Sequence, residues 1–540
     1  MNRIKGYFAE ELNKYKFFSL LIFIAIITLL AWQSDDAYHA YIMAKNLVEG
    51  NGFVYNIGER ATASSCPLFT LVVAAGYFVI RDMFFVSLLI CIVFSALAYN
   101  ICVSTFCKTK KQVAITFVAL VGSVSFISYT TSGLENSMLF FLGALFLKEY
   151  FKEEPFTKGR LLKIALLISL IAMTRMDAVL MFAPMAVYVY LKKRGSRIKF
   201  ISSVGIGILG LLPFILWELF AVFYFGFFFP NTAYVKLGTN ILLREYLVRG
   251  VKYYLNALLC DPVVLAVPLF GIVAAIIYKK AEYIWCMAGV ALYCLYLLYI
   301  GGDFMMGRHF TVMFFLSVMY MMVVLNRQAP TYGTGSGIRK VYMGVVLACV
   351  IFTGTTQIIT NQFLFGSTFS SPISDERAGY FRYASLFNNV ISLAKDGQLC
   401  IRAAWNEQGI QEFRQAGYSG AILENIPGIS HYYNADMYLN DRYALGDPFM
   451  SHLPAVKEEN WRIGHMWRED PKGYANTILY GSNEIENPEL HEYYEVIKLI
   501  TRGDLFDSNR IKAIIDMNLG KYNYLVEAYT ATLDENGRQQ

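Results

Sequence analysis

Two adjacent carboxylates stand close behind the first long apolar segment of the chain. The run FFSLLIFIAIITLL, residues 17–30, is followed by Asp35 and Asp36 in the stretch SDDAYHAY. A carboxylate of such a pair can act as a general base on a hydroxyl group, and each should raise the proton affinity of the other. Aspartate also suits the start of the helix that AYHAYIMAKNL predicts. Asp35 and Asp36 are therefore candidate catalytic residues, with helix capping as the alternative for Asp36.

Four further polar segments end or interrupt long apolar runs. They are TSGLEN (131–136), TRMDA (174–178), FPNTAYVKLG (229–238) and GGDFMMGRHF (301–310). Taken singly, each is most simply a group of polar residues at a helix end, where water is present. TRMDA differs because it interrupts one apolar stretch from 161 to 191, and ionisable groups at such depth usually line a cavity. The candidate substrate-binding residues in these segments are Glu135, Arg175, Asp177, Asn231, Lys236, Asp303, Arg308 and His309.

These residue types suit a substrate that combines a phosphate with hydroxyl groups. Arginine can form paired hydrogen bonds to phosphate oxygens and lysine supplies a compact charge, so Arg308, Lys236 and His309 are phosphate candidates. Glu135 can accept hydrogen bonds from hydroxyl groups. The alternatives are a membrane-exit charge for Glu135, a plain interfacial histidine for His309, and pairing of Asp303 with Arg308.

The composition indicates a polytopic membrane protein. Of the 540 residues, 56% are hydrophobic, 16% are charged and 16% are aromatic. A helix needs about 20 apolar residues to span the hydrocarbon core, and Lys and Arg collect on the cytoplasmic side. With a cytoplasmic N-terminus, these rules predict about eleven membrane helices and place the basic loops inside. The expected spans are 17–33, 83–106, 112–130, 137–150, 161–174, 178–191, 200–222, 262–278, 283–300, 310–326 and 341–360.

This topology divides the chain at residue 360. Residues 1–360 form the predicted membrane domain, in which the run at 67–80 is too short to cross and is expected to lie along the outer interface or re-enter from it. Residues 361–540 are polar and are expected to form an external domain of mixed α/β structure. Its aromatic residues suit either carbohydrate contact or an ordinary core. Acceptor-side candidates in this domain are Asp441, Asp447, Arg462 and His465.

Several of these stretches, taken in order, resemble the terminal arabinofuranosyltransferases of the mycobacterial cell wall. They are SDDAYHAYIMAKNLVEGNGFVYNIGE, TSGLEN, FPNTAYVK, GGDFMMGRHF and, in the tail, ALGDPFMSHLPA with WRIGHMWRE. The resemblance runs from about residue 30 to about residue 530. Those enzymes belong to the GT-C superfamily of polytopic, polyprenyl-phosphate-dependent glycosyltransferases. The resemblance implies a GT-C fold in the bacterial cytoplasmic membrane, with the site and the C-terminal domain facing the periplasm or exterior.

The resemblance also implies a reaction. It is an inverting transfer of a sugar, here D-arabinofuranose, from a polyprenyl monophosphate to an acceptor hydroxyl. Asp35, as the first acid of the pair, would be the base, and Asp36 would orient it or bind the acceptor. Arg308, His309 and Lys236 would bind the donor phosphate. Such a transfer needs no metal, and a divalent cation held by the clustered acids is the less favoured alternative.

Two other functions stay open at this point. One is GT-C transfer of a different polyprenyl-phosphate sugar, such as mannose, and the other is transport of a lipid-linked sugar. A transporter typically has inverted repeats with broken helices in matching halves, and the sequence has neither. The expected partners are the lipid bilayer, the polyprenyl-phosphate sugar and an acceptor, which is an envelope glycan, a lipid-linked oligosaccharide or a surface protein. Nothing in the sequence indicates a nucleic acid.

Overall fold

The computed structural model is mainly α-helical, as the sequence predicts. It describes residues 10–193, 198–237, 239, 241–328, 334–360, 372–403, 423–424, 428–458, 461–534 and 536–539. The chain divides into two compact units, each assembled from three separate stretches. The first unit comprises Met1–Ser34, Ser87–Phe214 and Leu243–Asn388, and the second comprises Asp35–Val86, Ile215–Leu242 and Asn389–Gln540.

The first unit is organised around the helix Phe310–Gln328, whose residues from Phe310 to Leu325 are all buried. This helix packs against Asn136–Phe151 and against Val263–Tyr278. The other helices that lie wholly or mainly in this unit are Glu11–Leu29, Met83–Ile101, Lys110–Val121, Val124–Ser128, Lys158–Thr174, Val179–Tyr188, Phe200–Phe225, Leu243–Cys260, Ala281–Tyr299, Thr334–Thr360 and Glu376–Ala384. Two π-helical turns, Cys102–Phe106 and Val189–Lys193, extend two of them.

The second unit has a core of buried apolar side chains that includes Phe449, Tyr493, Ile497 and Ile514. Its helices are shorter than those of the first unit. They are Ala37–Val48, Pro67–Ile80, Asn231–Leu237, Leu386–Asp396, Cys400–Ala403, Ile429–Tyr433, Tyr474–Tyr480, Pro488–Arg502, Ser508–Asn518 and Asn523–Thr530, with a 3-10 turn at Met450–His452. Leu423–Glu424 and Leu439–Asn440 form one parallel pair of two-residue strands.

Six helices in the described part of the chain are long and apolar enough to cross a membrane, or up to seven if one bent pair is a single span. They are Glu11–Leu29, Met83–Phe106, Phe200–Phe225, Ala281–Tyr299, Phe310–Gln328 and Gly337–Gln357. Each corresponds to an expected span, so a membrane-embedded helical protein is confirmed. The other expected spans are helical but short or broken, and the count of eleven stays a prediction.

The expected span at 112–130 is one of those that break. Its helix ends at Val121 and a short helix starts at Val124. The Ser123 hydroxyl accepts a hydrogen bond from the Phe126 N–H and donates one of 2.7 Å to the buried Asp261 carboxylate. This side chain offers the backbone an alternative to continuing the helix, which is why the apolar run does not form one span.

The tail contains less strand than the sequence analysis expects. In its described residues, the only paired strands besides isolated bridges are the two-residue pair at Leu423 and Leu439. RIKAIIDMN, expected to contribute to a mixed domain, lies in the helix Ser508–Asn518, where Arg510, Ala513, Ile514 and Met517 are buried. Their spacing of three and four residues is helical. The predicted division at residue 360 stays a prediction, because each compact unit takes residues from both sides of it.

Candidate functional site

Three helix ends in the first unit bring Glu135, Arg175 and Arg308 together. Glu135 is the N-cap residue of Asn136–Phe151, and Arg175 is the C-cap residue of Lys158–Thr174, which packs against it. Arg308 lies two residues before the central helix Phe310–Gln328, which also packs against Asn136–Phe151. An anion at a helix N-terminus and a cation at a C-terminus both complement the helix dipole.

The side chains at these ends form one ion network. Arg175 binds both Asp177 carboxylate oxygens at 2.7 Å, through Nε and Nη2, and its Nη1 binds Glu135 Oε1 at 2.9 Å. Arg308 Nη2 binds the same Glu135 oxygen at 3.1 Å, and its Nη1 lies 3.9 Å from Asp303 Oδ2. Three segments far apart in sequence, TSGLEN, TRMDA and GGDFMMGRHF, therefore share one buried cluster. Both Arg308 contacts exist, so the alternative that pairs Asp303 with Arg308 holds in part.

The two arginines keep Glu135 ionised. Burial alone would raise the pKa of the Glu135 carboxyl, but the charges of Arg308 and Arg175 outweigh it and leave that pKa below its ordinary value. Glu135 is nearly inaccessible to solvent, with 2% exposure. A carboxylate with this much cationic contact is a poor general base but a stable hydrogen-bond acceptor and a holder of both guanidinium groups.

His309 is held by two tyrosines that the sequence analysis missed. Its Nδ1 lies 3.1 Å from the Tyr293 hydroxyl, its Nε2 lies 3.4 Å from Asp303 Oδ2, and its backbone N–H donates to the Tyr253 hydroxyl. The ring is buried and lies in the same network, and the choice between a phosphate ligand and a plain interfacial histidine stays a prediction. Tyr293 lies inside an apolar helical run and Tyr253 lies on an amphipathic helix, and both have the spacing of ordinary core residues, so the sequence carried little signal for them.

Asp35 lies in the second unit and is held by the backbone at Ile429. The Ile429 N–H donates a hydrogen bond of 2.8 Å to Asp35 Oδ1. Gly428 has φ +91°, and a Cβ atom there would lie 2.4 Å from the same oxygen. Only glycine adopts that conformation readily and leaves room for the carboxylate. The segment GISHYYN in the tail thus contacts and positions the Asp35 carboxylate, a link that the sequence analysis did not anticipate.

The environment of Asp35 fits a base that operates near neutral pH. The pKa of the Asp35 carboxyl is raised to about 7, chiefly by burial and to a smaller extent by the charge of Asp36, against the lowering effect of the Ile429 N–H. The predicted effect of Asp36 on Asp35 is therefore present but smaller than the effect of burial. Asp36 occupies the N-cap position of Ala37–Val48, yet its side chain makes no capping hydrogen bond. The Asp36 side chain therefore does not cap this helix, and the capping interpretation is wrong.

A cluster of aromatic and histidine side chains lies next to this pair in the second unit. Tyr55 is fully buried, its hydroxyl lies 2.9 Å from His39 Nδ1, and its ring packs edge-on against His431 with centroids 4.8 Å apart. The charges of Asp35, Asp36 and Asp441 all act on the Tyr55 hydroxyl and add to the effect of burial, which raises its pKa. His39 and Tyr55 lie in the quoted stretch around Asp35, so their position in sequence was the available signal.

The remaining candidates are placed as follows. Asn231 and Lys236 share the helix Asn231–Leu237 in the second unit, where Asn231 is buried and Lys236 is exposed. Asp441 accepts hydrogen bonds from the Tyr443 and Gly446 N–H groups, and Asp447 accepts them from Phe449, Met450 and the Tyr474 hydroxyl. These two buried carboxylates hold turns of their own segments, and their acceptor-side role stays a prediction. Arg462 and His465 pair through an isolated backbone bridge.

The candidates thus fall into two sets, each described within its own unit. Glu135, Arg175, Asp177, Asp303, Arg308 and His309 form one network in the first unit, and Asp35, Asp36, Asn231 and Lys236 belong to the second. Among the described residues, no group of three or more His, Cys, Asp or Glu side chains could hold a metal ion. No protein-family model, curated protein or solved structure matches the chain.

Proposed function

We propose that the protein is an inverting membrane glycosyltransferase. It moves a sugar, D-arabinofuranose by the resemblance described above, from a polyprenyl monophosphate to an acceptor hydroxyl at the external face of the bacterial cytoplasmic membrane. The carrying observation is Asp35, a partly buried carboxylate held by the Ile429 N–H at 2.8 Å, whose pKa burial raises to about 7. A general base is most effective when its pKa lies near the working pH.

In this proposal Asp35 takes the proton from the acceptor hydroxyl as that oxygen attacks the anomeric carbon. The bond between the anomeric carbon and the phosphate oxygen breaks, and polyprenyl phosphate leaves from the opposite face of the sugar. Arg308, with His309 and Lys236, binds the phosphate, where negative charge develops on the leaving oxygen. Glu135 holds Arg175 and Arg308 in place through one carboxylate oxygen.

The network supports the lipid-borne phosphate in particular. Two partly buried arginines and a buried histidine lie among helices that include membrane-span candidates. Ionisable groups in such surroundings usually serve a substrate or ion pathway. A transporter would also use such groups, but it would release the sugar-lipid intact rather than cleave it.

The experiment is a donor panel with the purified protein in lipid vesicles. Polyprenyl-phosphate arabinofuranose, mannose and other sugars are offered with a simple glycan acceptor, and released polyprenyl phosphate is measured. We expect release with one donor, arabinofuranose. Release with the mannose donor alone would mean that the donor sugar is mannose, and the proposed transfer reaction would still hold. Movement of intact donor across the bilayer without any release would favour the transporter.

Asp35→Asn provides the matched catalytic test. Asparagine keeps the shape and can still accept the Ile429 hydrogen bond, but it removes the base, so release should fall by about 10²- to 10⁴-fold. In the wild type, release should also decline as the pH falls below about 7, because a protonated Asp35 carboxyl cannot accept a proton.

Stability provides the control for that variant. A carboxyl group whose pKa is higher in the folded than in the unfolded protein makes the protein less stable as the pH rises from the unfolded pKa to the folded pKa. Asp35→Asn removes this effect, so the variant should unfold no more easily than the wild type at neutral pH. Asp396→Asn, an exposed aspartate at the end of Leu386–Asp396, should keep normal release. Near-normal turnover by Asp35→Asn would rule out Asp35 as the base.

A further inference from the structure

The helix Leu243–Cys260 has an exposed apolar face. Its side chains Leu243, Leu247, Val248, Val251, Leu255, Leu258 and Leu259 are all exposed, and several are about half accessible. They recur at spacings of three and four residues, so they lie along one side of the helix. Seven exposed apolar side chains on one helix form a larger apolar patch than soluble proteins usually expose to water.

The same helix carries two other faces. Glu245, Arg249, Lys252 and Asn256 follow one another at helical spacing and form a polar strip beside the apolar face. Gly250, Tyr253 and Ala257 form the buried third face. A helix with an exposed apolar face next to a strip containing Arg and Lys is the pattern of a helix that lies in a membrane interface.

The direction of the next helix supports that placement. Leu243–Cys260 and Val263–Tyr278 together pass the test for a membrane span, but they are bent by 103° at the break between them. Val263–Tyr278 is apolar along its length and exposes Leu269, Ile276 and Ile277. If that helix runs along the bilayer normal, a bend of this size lays Leu243–Cys260 close to the membrane plane.

We propose that Leu243–Cys260 lies along the bilayer interface, with its apolar face among the lipid acyl chains and Arg249 and Lys252 at the anionic phosphates of the headgroups. The occupant of the face is therefore lipid. The charges match, because the strip carries Arg249 and Lys252 against the single acid Glu245. Arg244, in the first turn, lies on the apolar side, where its long side chain can extend to the headgroups. The following helix also exposes apolar side chains, which suit the same lipid surroundings.

The buried face of this helix supports the loop that carries the ion network. The Tyr253 hydroxyl donates a 3.2 Å hydrogen bond to the Met305 carbonyl and accepts one of 3.3 Å from the His309 N–H. Gly302, with φ +78°, lies so close to the Tyr253 ring that a Cβ atom would come within 2.5 Å of it. The interfacial helix therefore holds the Asp303–His309 loop at the depth of the lipid headgroups. This inference does not depend on the proposed transfer reaction.

The test measures the depth of three positions along the helix. A fluorescent amino acid is placed singly at Leu243, Val251 and Leu259 in the full chain, reconstituted in vesicles of phosphatidylcholine and phosphatidylglycerol. Quenching is compared for lipids that carry a nitroxide at the headgroup or in the middle of the acyl chain. We expect strong quenching at all three positions, with Val251, at the middle of the apolar face, at most a few ångströms deeper than Leu243 and Leu259. A fourth label, placed singly at Lys252 on the polar strip, should show weaker acyl-chain quenching than the label at Val251.

Two positions in the span candidate Phe200–Phe225 give the matched control. Ile201 and Leu209 are exposed and are separated by eight residues, as Leu243 and Val251 are, so in a spanning helix their depths should differ by about 12 Å. If Val251 were deeper than Leu243 and Leu259 by about that amount, the helix would be a span. Absence of lipid quenching at all three positions would mean that protein covers the face. Either result overturns the inference.

Discussion

Arg175 and Arg308 lie in the same network, but their guanidinium groups are used differently. Arg175 places two nitrogens on the two Asp177 oxygens, both at 2.7 Å. This is the paired geometry that arginine would otherwise offer to a phosphate. Arg308 binds Glu135 through a single nitrogen at 3.1 Å. In the proposed reaction, Arg175 would hold the network and Arg308 would bind the phosphate.

Arg308→Ala should therefore weaken donor use far more than Arg308→Lys. Lysine keeps the charge and loses only the planar fork. Loss of a charged contact in a site that excludes water costs about 2–4 kcal/mol of transition-state stabilisation, or roughly 30- to 1,000-fold in rate. The measurement is kcat/KM for polyprenyl-phosphate release by both variants, with the exposed Arg382→Ala as control. An unchanged rate in Arg308→Ala would remove this residue from the phosphate site.

At the scale of elements, sequence reasoning identified the segments and missed how they are supported. The charges of TSGLEN, TRMDA and GGDFMMGRHF interrupt apolar runs, and that contrast was sufficient to single out Glu135, Arg175 and Arg308. The supports are Tyr253, Tyr293 and the turn at Gly428, which contact these segments or Asp35 across long sequence separations. A helix shows the same periodicity whether its buried tyrosines fill a core or hold a site, so the pattern could not separate the two.

The turn that begins the helix Ile429–Tyr433 allows a test of its role at Asp35. Gly428→Ala introduces a Cβ atom 2.4 Å from Asp35 Oδ1 at φ +91°, so the carboxylate must move. A misplacement of about 1 Å can lower an enzyme rate on the order of 100-fold. We expect that loss in polyprenyl-phosphate release.

Gly481 is the matched control for that substitution. It also has a positive φ, +76°, but no heavy atom lies within 4 Å of the Cβ position there. Gly481→Ala should lose about 1–2 kcal/mol of stability from its left-handed backbone, measured by denaturation. Gly428→Ala should lose at least as much, because φ +91° with ψ −128° is a conformation that only glycine adopts readily. Only Gly428→Ala should lose activity. Equal activity in the two variants would mean that the position of Asp35 against the Gly428 turn does not affect the reaction.

At the scale of the whole molecule, long apolar runs were predicted well and the tail was not. Spans such as Phe200–Phe225 need only length and composition, which the sequence contains directly. The shorter runs depend on how helices pack and bend, as the 103° break after Cys260 illustrates. The tail depends on contacts with distant segments. Arg510, for example, is fully buried and donates to carbonyls of Phe223 and Tyr224, nearly 300 positions earlier in the chain.

That last contact gives a topology argument that does not depend on the number of spans. Arg510 Nη2 binds the Phe223 and Tyr224 carbonyls at 2.9 Å, and Asn518 Nδ2 binds the Gly226 carbonyl at 2.7 Å. The tail helix Ser508–Asn518 is therefore fixed to the C-terminal end of Phe200–Phe225. The loop before that helix, KKRGSRIK at 192–199, is strongly basic and is expected to be cytoplasmic. If the helix crosses the membrane, the tail lies on the external side.

Single cysteines introduced at Lys111 and Ser482 should therefore be labelled from opposite sides of the membrane. Both positions are exposed, Lys111 near a basic loop and Ser482 in the tail after Tyr474–Tyr480. In intact cells, a membrane-impermeant maleimide should label the cysteine at 482 at once and the cysteine at 111 only after permeabilisation. The parent chain, with its nine native cysteines, sets the background. Labelling of both positions from the same side would contradict the crossing of Phe200–Phe225. Protection of position 482 in intact cells would place the tail in the cytoplasm, where the proposed external acceptor could not reach it.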